Sequence, residues 1–180
     1  ALYQGIILSN TSKLKDKAVI VLTDADPMVE LSKKNENDCI KLSQKFNIPV
    51  YCIGLGKGIN APPLINIAKN TGGEYFYAPT ASQLKDLYSK LSKIITKEDQ
   101  YHIVGTVFTI QNSNHLVYDD FIPKAKSAIG EFISKKTNND PIAIIGMNNK
   151  ELNFNSDKSI LQNTLSSLPV VSNENILDSL

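Results

Sequence analysis

The chain has 180 residues, 42% of them hydrophobic, and its 19 basic and 18 acidic side chains leave a formal net charge of +1. That length and apolar content suffice for a full core. The near-neutral balance, with every basic residue a Lys and none an Arg, argues against a reader of nucleic acid, and no apolar stretch reaches the roughly 20 residues that span a bilayer, so no direct membrane insertion is expected of this segment.

Leu2 to Leu8 reads as an apolar helical opening. Because it starts on Ala rather than Met in mid-helix, sequence upstream of Ala1 is expected. After the polar stretch Ser9 to Lys15 comes the most informative segment. Ala18 to Thr23 is an unbroken apolar run that ends abruptly on Asp24 and Asp26, as a strand buried on both faces does when it delivers carboxylates to the rim of a parallel sheet. Asp24 is the first candidate for chemistry. The plainer alternative is that it caps the next helix or holds its own loop.

Glu36 to Phe46 is an amphipathic helix with Cys39, Leu42 and Phe46 on one side, and Asn47 is its stop signal. Pro49 to Leu55 is the next apolar strand. Asn60 is placed to cap a helix that opens on Ala61-Pro62-Pro63 and runs to about Asn70, where Thr71-Gly72-Gly73 ends it. Glu74 to Ala78 follows as a strand, with Tyr75 and Tyr77 on one face as core or helix-packing residues. Leu84, Leu87, Tyr88, Leu91, Ile94 and Ile95 then recur at helical spacing and lay one stripe on the sheet.

A short polar linker, Thr96 to Gln100, leads to a strand from His102 to Ile110. Phe121 to Ile133 is a helix introduced by Asp119-Asp120, Pro141 to Met147 a buried strand, and Glu151 to Phe154 a more polar strand suited to a sheet edge. Ser156 or Asp157 caps the helix carrying Ile160, Leu161, Leu165 and Leu168, and Asn175 to Leu180 has the pattern of one more helix start. Strands alternating with helices at this rhythm predict an α/β, doubly wound, mostly parallel sheet of six strands with helices on both faces.

Two cysteines, Cys39 and Cys52, are too few for a disulfide framework or a structural zinc site; they read as buried thiols, with a bridge between them left open. Gly54-Leu55-Gly56-Lys57-Gly58 follows a strand and precedes a helix, yet a dinucleotide loop would need glycine where Ile59 stands. His102 and His115 flank one strand too far apart to share a metal.

Four ordered pieces, Ala1-Leu2-Tyr3, Val21-Leu22-Thr23-Asp24, Ile48 to Gly56 and Thr71 to Ala78, resemble a von Willebrand factor A domain of the bacterial type over about the first 96 residues. The resemblance implies a divalent ion, usually Mg²⁺, at the carboxyl edge of the sheet, held by a D-x-S-x-S loop, a Thr and an Asp. Asp24 matches that Asp. The Thr would stand directly before Ala1.

The remainder resembles the opening half of a second such domain, with Gln111-Asn112-Ser113-Asn114-His115 where D-x-S-x-S is expected; only Ser113 is retained. Glu174 stands where the Thr should be. The resemblance thus implies residues 1–96 as the C-terminal portion of one domain, 97–101 as a linker, and 102–180 as the N-terminal portion of another, degenerate one. If the two halves pair, they close as a circularly permuted single domain.

What the resemblance implies for function is a noncatalytic protein-binding module of the adhesion type. Its metal ligands in this chain are Asp24 and Ser113, with a protein partner and a slight preference for an extracytoplasmic or membrane-associated setting. Mg²⁺ is the ion implied for the intact protein, and binding by this chain is expected to be weak or absent, because one charged ligand is far from a cage of oxygens. Two alternatives stand beside it: a scaffold repeat without metal, and a doubly wound α/β enzyme, since such sheets host many chemistries.

Overall fold

A computed structural model describes residues 2–24, 33–55, 59, 61–79, 81–96, 103–111, 121–136, 140–146 and 151–168. In chain order the elements are α1 (Leu2–Thr11), β1 (Asp16–Thr23), α2 (Lys33–Phe46), β2 (Val50–Leu55), α3 (Ala61–Thr71), β3 (Tyr75–Ala78), α4 (Ala81–Thr96), β4 (Val104–Gln111), α5 (Phe121–Lys135), β5 (Ile142–Ile145), β6 (Glu151–Asn155) and α6 (Lys158–Ser167). The six strands form one sheet in the order β3-β2-β1-β4-β5-β6. All neighbours are parallel except β6, which runs antiparallel to β5 at the edge.

The continuous apolar runs have a direct cause in this layering. Along β1, Val19 and Val21 face the side covered by α1, α2 and α3, while Ala18, Ile20 and Leu22 face α4, α5 and α6. Neither face meets water, so no polar alternation is left in the sequence. The α4–α6 side centres on Phe108 of β4, whose ring lies 5.1 Å from Phe132 of α5 in an edge-on contact and 5.9 Å from Tyr88 of α4.

Helix ends follow local chemistry. Asn47 has φ 52°, and the N–H groups of Ile48 and Asn47 donate to the carbonyls of Ser43 and Gln44 at 3.0 and 3.2 Å, the bonding pattern of a left-handed helix stop. Gly72, at φ 79°, ends α3 in the same way, with the Gly73 N–H donating to Ala68 O at 3.0 Å. The Asp157 carboxylate opens α6 by accepting from Ser159 N and Ile160 N at 2.7 and 3.2 Å. At the far end of α6, the Lys126 ammonium donates to the Ser166 and Leu168 carbonyls, a cation where the helix dipole is negative.

Two readings of the sequence need adjustment. Tyr77 is 47% exposed, because β3 is the outer strand of the sheet and offers no second neighbour to bury it; Tyr75 is half-buried. Strand β4 begins at Val104, with Ile103 outside it, and there the Val104 N–H donates to the Asp140 carboxylate at 3.2 Å; His102 lies outside the described residues. Thr96, read as the first linker residue, closes α4, while residues 97–101, Asn60, Asp119, Asp120 and the segment Asn175 to Leu180 lie outside the described residues.

Cys39 and Cys52 are free and buried in the α1–α3 side of the core. Burial pushes the Cys39 thiol from an ordinary 9.0 up to about 11 and the Cys52 thiol up to about 12. A thiol whose folded value is raised contributes stability that is intact below its unfolded value and is lost as pH rises through the folded one. Thermal midpoints measured across the alkaline range should therefore fall from pH 9.0 toward about 12, and a Cys39→Ala, Cys52→Ala double variant should show a shallower fall. An unchanged slope in the double variant would contradict this.

Candidate functional site

The chain winds outward from β1 through β2 to β3, then returns to the other side of β1 and winds through β4, β5 and β6. The direction of winding therefore reverses between β1 and β4, and in open α/β sheets the ligand crevice lies at such a point, beyond the carboxyl ends of the strands. The two strands pair along eight residues each, from Asp16 opposite Val104 to Thr23 opposite Gln111. Asp24 follows directly on Thr23, so it stands at the crevice.

Asp24 is 3% exposed and Thr23 is 4% exposed. Both take part in polar or electrostatic interactions within the chain. A carboxylate so deeply set reaches an outside molecule only through something it holds, whether an ion or the neighbouring loop.

Helix α1 is drawn against this seam by a glycine. A methyl group on Gly5 would lie 2.5 Å from Thr109 Cγ2, whereas near the other end of the helix Ser12 Oγ lies 3.6 Å from the corresponding position on Gly105. Residues 5 and 12 thus sit over residues 109 and 105, so α1 runs antiparallel to β4. Its Leu2 end points toward the Asp24 edge.

Ser113, the second proposed ligand, lies outside the described residues, as do Asp26, Asn112, Asn114, His115 and Glu174. The structure places the strand leading to Ser113 beside the strand leading to Asp24, which is the juxtaposition a shared site requires. Among the described residues no group of three or more His, Cys, Asp or Glu side chains is gathered as a metal site would need. The residues described at this edge do not fit a full Mg²⁺ cage: the ion takes six oxygens in near-octahedral array, and one carboxylate, Asp24, is offered.

The glycine-rich stretch has a packing role at its start. A methyl on Gly54 would meet Tyr75 Oη at 2.8 Å and Ile59 Cδ1 at 2.9 Å. Gly56 and Gly58 are outside the described residues.

Sequence reasoning did not anticipate two features of the opposite, amino edge. One is a cavity of about 290 Å³ whose lining includes Asp16, Lys17, Asn47, Tyr51, Gly72 and Val104. The other is Lys136, 3% exposed, whose ammonium donates to Asp140 O while the Asp140 carboxylate holds Val104 N. A Lys in a polar stretch after a helix carries no mark of burial, because its partner, Asp140, is itself tied to β4 through Val104 N, far away in sequence.

No family model and no curated protein matches the chain. Among solved structures it is similar to an uncharacterized membrane spanning protein from Vibrio fischeri, with 20% identity over 46% of this chain and 48% of that one and a TM-score of 0.39. The chain thus spans about half the length of that protein. It is also similar to an uncharacterized protein from Alicyclobacillus acidocaldarius subsp. acidocaldarius DSM 446, with 14% identity over 82% of this chain and 84% of that one and a TM-score of 0.53. The second likeness extends over most of both chains and shows the fold class alone, an α/β sheet with helices on both faces.

Proposed function

We propose that this chain is a noncatalytic protein-binding module, related to von Willebrand factor A domains, that presents the carboxyl edge of the β1–β4 seam to a protein partner. The observation that supports it is the placement of Asp24, an acidic side chain at the point where the winding of the sheet reverses. Asp24 and Ser113 are the ligands of an incomplete metal-ion-dependent adhesion site, and the chain alone holds Mg²⁺ weakly or not at all. No described helix is long and apolar enough to cross a membrane.

A second reading, a scaffold repeat in which Asp24 only orders its own loop, is favoured by one specific observation: the side chain is 3% exposed and already engaged within the chain. Asp24→Asn separates the two, because it removes the charge and keeps the shape. If the edge binds a protein, the variant keeps its thermal midpoint and loses capture of the partner, while Lys13→Gln at the exposed end of the α1–β1 turn leaves capture unchanged. If Asp24 is scaffold, the variant melts at lower temperature by the equivalent of about 1–3 kcal/mol, the cost of weakening a buried polar interaction. Unchanged capture together with a lowered midpoint would refute the binding proposal.

A further inference from the structure

The molecule divides at the seam into two blocks that are each contiguous in sequence. Residues 2–96 supply β3, β2 and β1 with α1 to α4, and residues 103–168 supply β4, β5 and β6 with α5 and α6. They meet through the β1–β4 ladder, through α1 over β4 and through α4 against α5. A single peptide connection joins them. The residues that flank it, Ile94 in the last turn of α4 and Val104 at the start of β4, line the same cavity at the amino edge, the end of the sheet opposite Asp24.

We propose that the β1–β4 seam is an exchangeable interface, in which residues 103–168 of a second copy of this chain can take the place of the chain's own and complete the same site. Neither block tolerates solitude. Ala18 to Thr23, buried throughout on β1, would be left as a bare apolar edge with unpaired backbone groups. The register that repairs this edge is unique, because a slip of one residue by the incoming β4 would misplace Val107, which belongs on the α1–α3 face, and Phe108 and Ile110, which belong on the other. The recess over Gly5 accepts Thr109 of β4 and adds a second, independent key.

The origin of the incoming block does not alter the pairing at Asp24, since the residues that flank the connection stand at the far edge. In the uncut chain the tether keeps the chain's own block at an effective concentration on the order of millimolar, so self-closure dominates in dilute solution. Exchange is unmasked by removing the tether. In the exchanged pair one copy brings Thr23 and Asp24 and the other brings Gln111, opposite Thr23 in the ladder. This holds whether or not a partner or an ion is ever bound at the edge.

The test replaces residues 97–101 with a protease cleavage sequence in the full chain, which is folded first and cut afterwards. The two pieces are expected to elute together as one species at the volume of the uncut protein. After mixing with cut protein carrying an affinity tag beyond Leu180, tagged C-terminal pieces are expected to capture N-terminal pieces of the untagged protein in proportion to the mixing ratio. Uncut protein shows no capture. Gly5→Ala should weaken association of the cut pieces about tenfold by overfilling the recess, while the uncut variant stays folded through its tether. The proposal is overturned if the pieces part or precipitate on cutting. It is equally overturned if they fail to exchange in urea just below the unfolding midpoint, or if Gly5→Ala leaves the association of the cut pieces unchanged.

Discussion

Replacing Gly73 with Ala should lower stability by about 3 kcal/mol or more, at the upper end of what overpacking costs, and should take the thermal midpoint down by roughly ten degrees for a chain of this size. The added methyl would lie 2.0 Å from the Val50 carbonyl oxygen and 2.5 Å from its carbon. These are backbone atoms of a central strand, so no side chain can swing aside. The chain passes so close to β2 here because the α3 stop and β2 are stitched together on both sides of Gly73: Val50 N donates to Thr71 Oγ1 at 3.1 Å, and Cys52 N donates to Glu74 O at 3.0 Å.

Gly72→Ala, one residue earlier, supplies the control, because nothing lies within 4 Å of its methyl position and its φ is 79°. It should cost only the left-handed penalty of about 1–2 kcal/mol. Differential scanning calorimetry of the two variants checks the ordering; equal effects would show that backbone contact with Val50 is not the cause.

Phe108→Ala should cost about 3–5 kcal/mol, the range for emptying an aromatic site in a core. Its ring is fully buried and touches Phe132 within its own block and Tyr88 across the seam. The loss therefore falls on the interior of one block and on the interface together. Tyr88→Phe should move the other way. The Tyr88 hydroxyl is buried and finds no hydrogen-bond partner among the described residues, so removing it relieves a desolvation cost and should raise stability by about 1 kcal/mol. Urea unfolding of both variants reads this directly, and a destabilised Tyr88→Phe would reveal that the hydroxyl has a role in the fold.

Much of this architecture was legible because parallel strands announce themselves. The runs at Ala18 to Thr23 and Pro49 to Leu55 carry no polar alternation, which only burial on both faces explains, and Asn47 and Gly72 mark helix ends through conformations that few other residues adopt. The candidate site was half legible for the same reason. An acidic residue at the end of a buried strand marks a sheet edge, and Asp24 is at one. What the residues alone did not fix was which strand lies beside it, since the order of strands depends on how α4 packs against α5 and α1 over β4, contacts formed by residues far apart in sequence. Tyr77 was misjudged on similar grounds: alternation puts it on a face of β3, and only the position of β3 at the rim leaves that face open.

The seam also ties stability to the site. Changes at Gly5 and Phe108 act on pairing of the blocks, and any ligand held jointly by the loops after β1 and β4 would stabilise that pairing by mass action. The amino-edge latch of Lys136, Asp140 and Val104 works on the same strand from the other end, fixing where β4 begins and hence where Gln111 falls.

The most direct measurement is an Mg²⁺ titration of the isotopically labelled full chain, followed through backbone amide resonances. Shifts confined to Thr23, Asp24 and Gln111, rising through the millimolar range without saturating and absent in Asp24→Asn, are the result predicted for an incomplete site at the β1–β4 edge. Saturation at sub-millimolar Mg²⁺, or shifts centred on another part of the molecule, would contradict it.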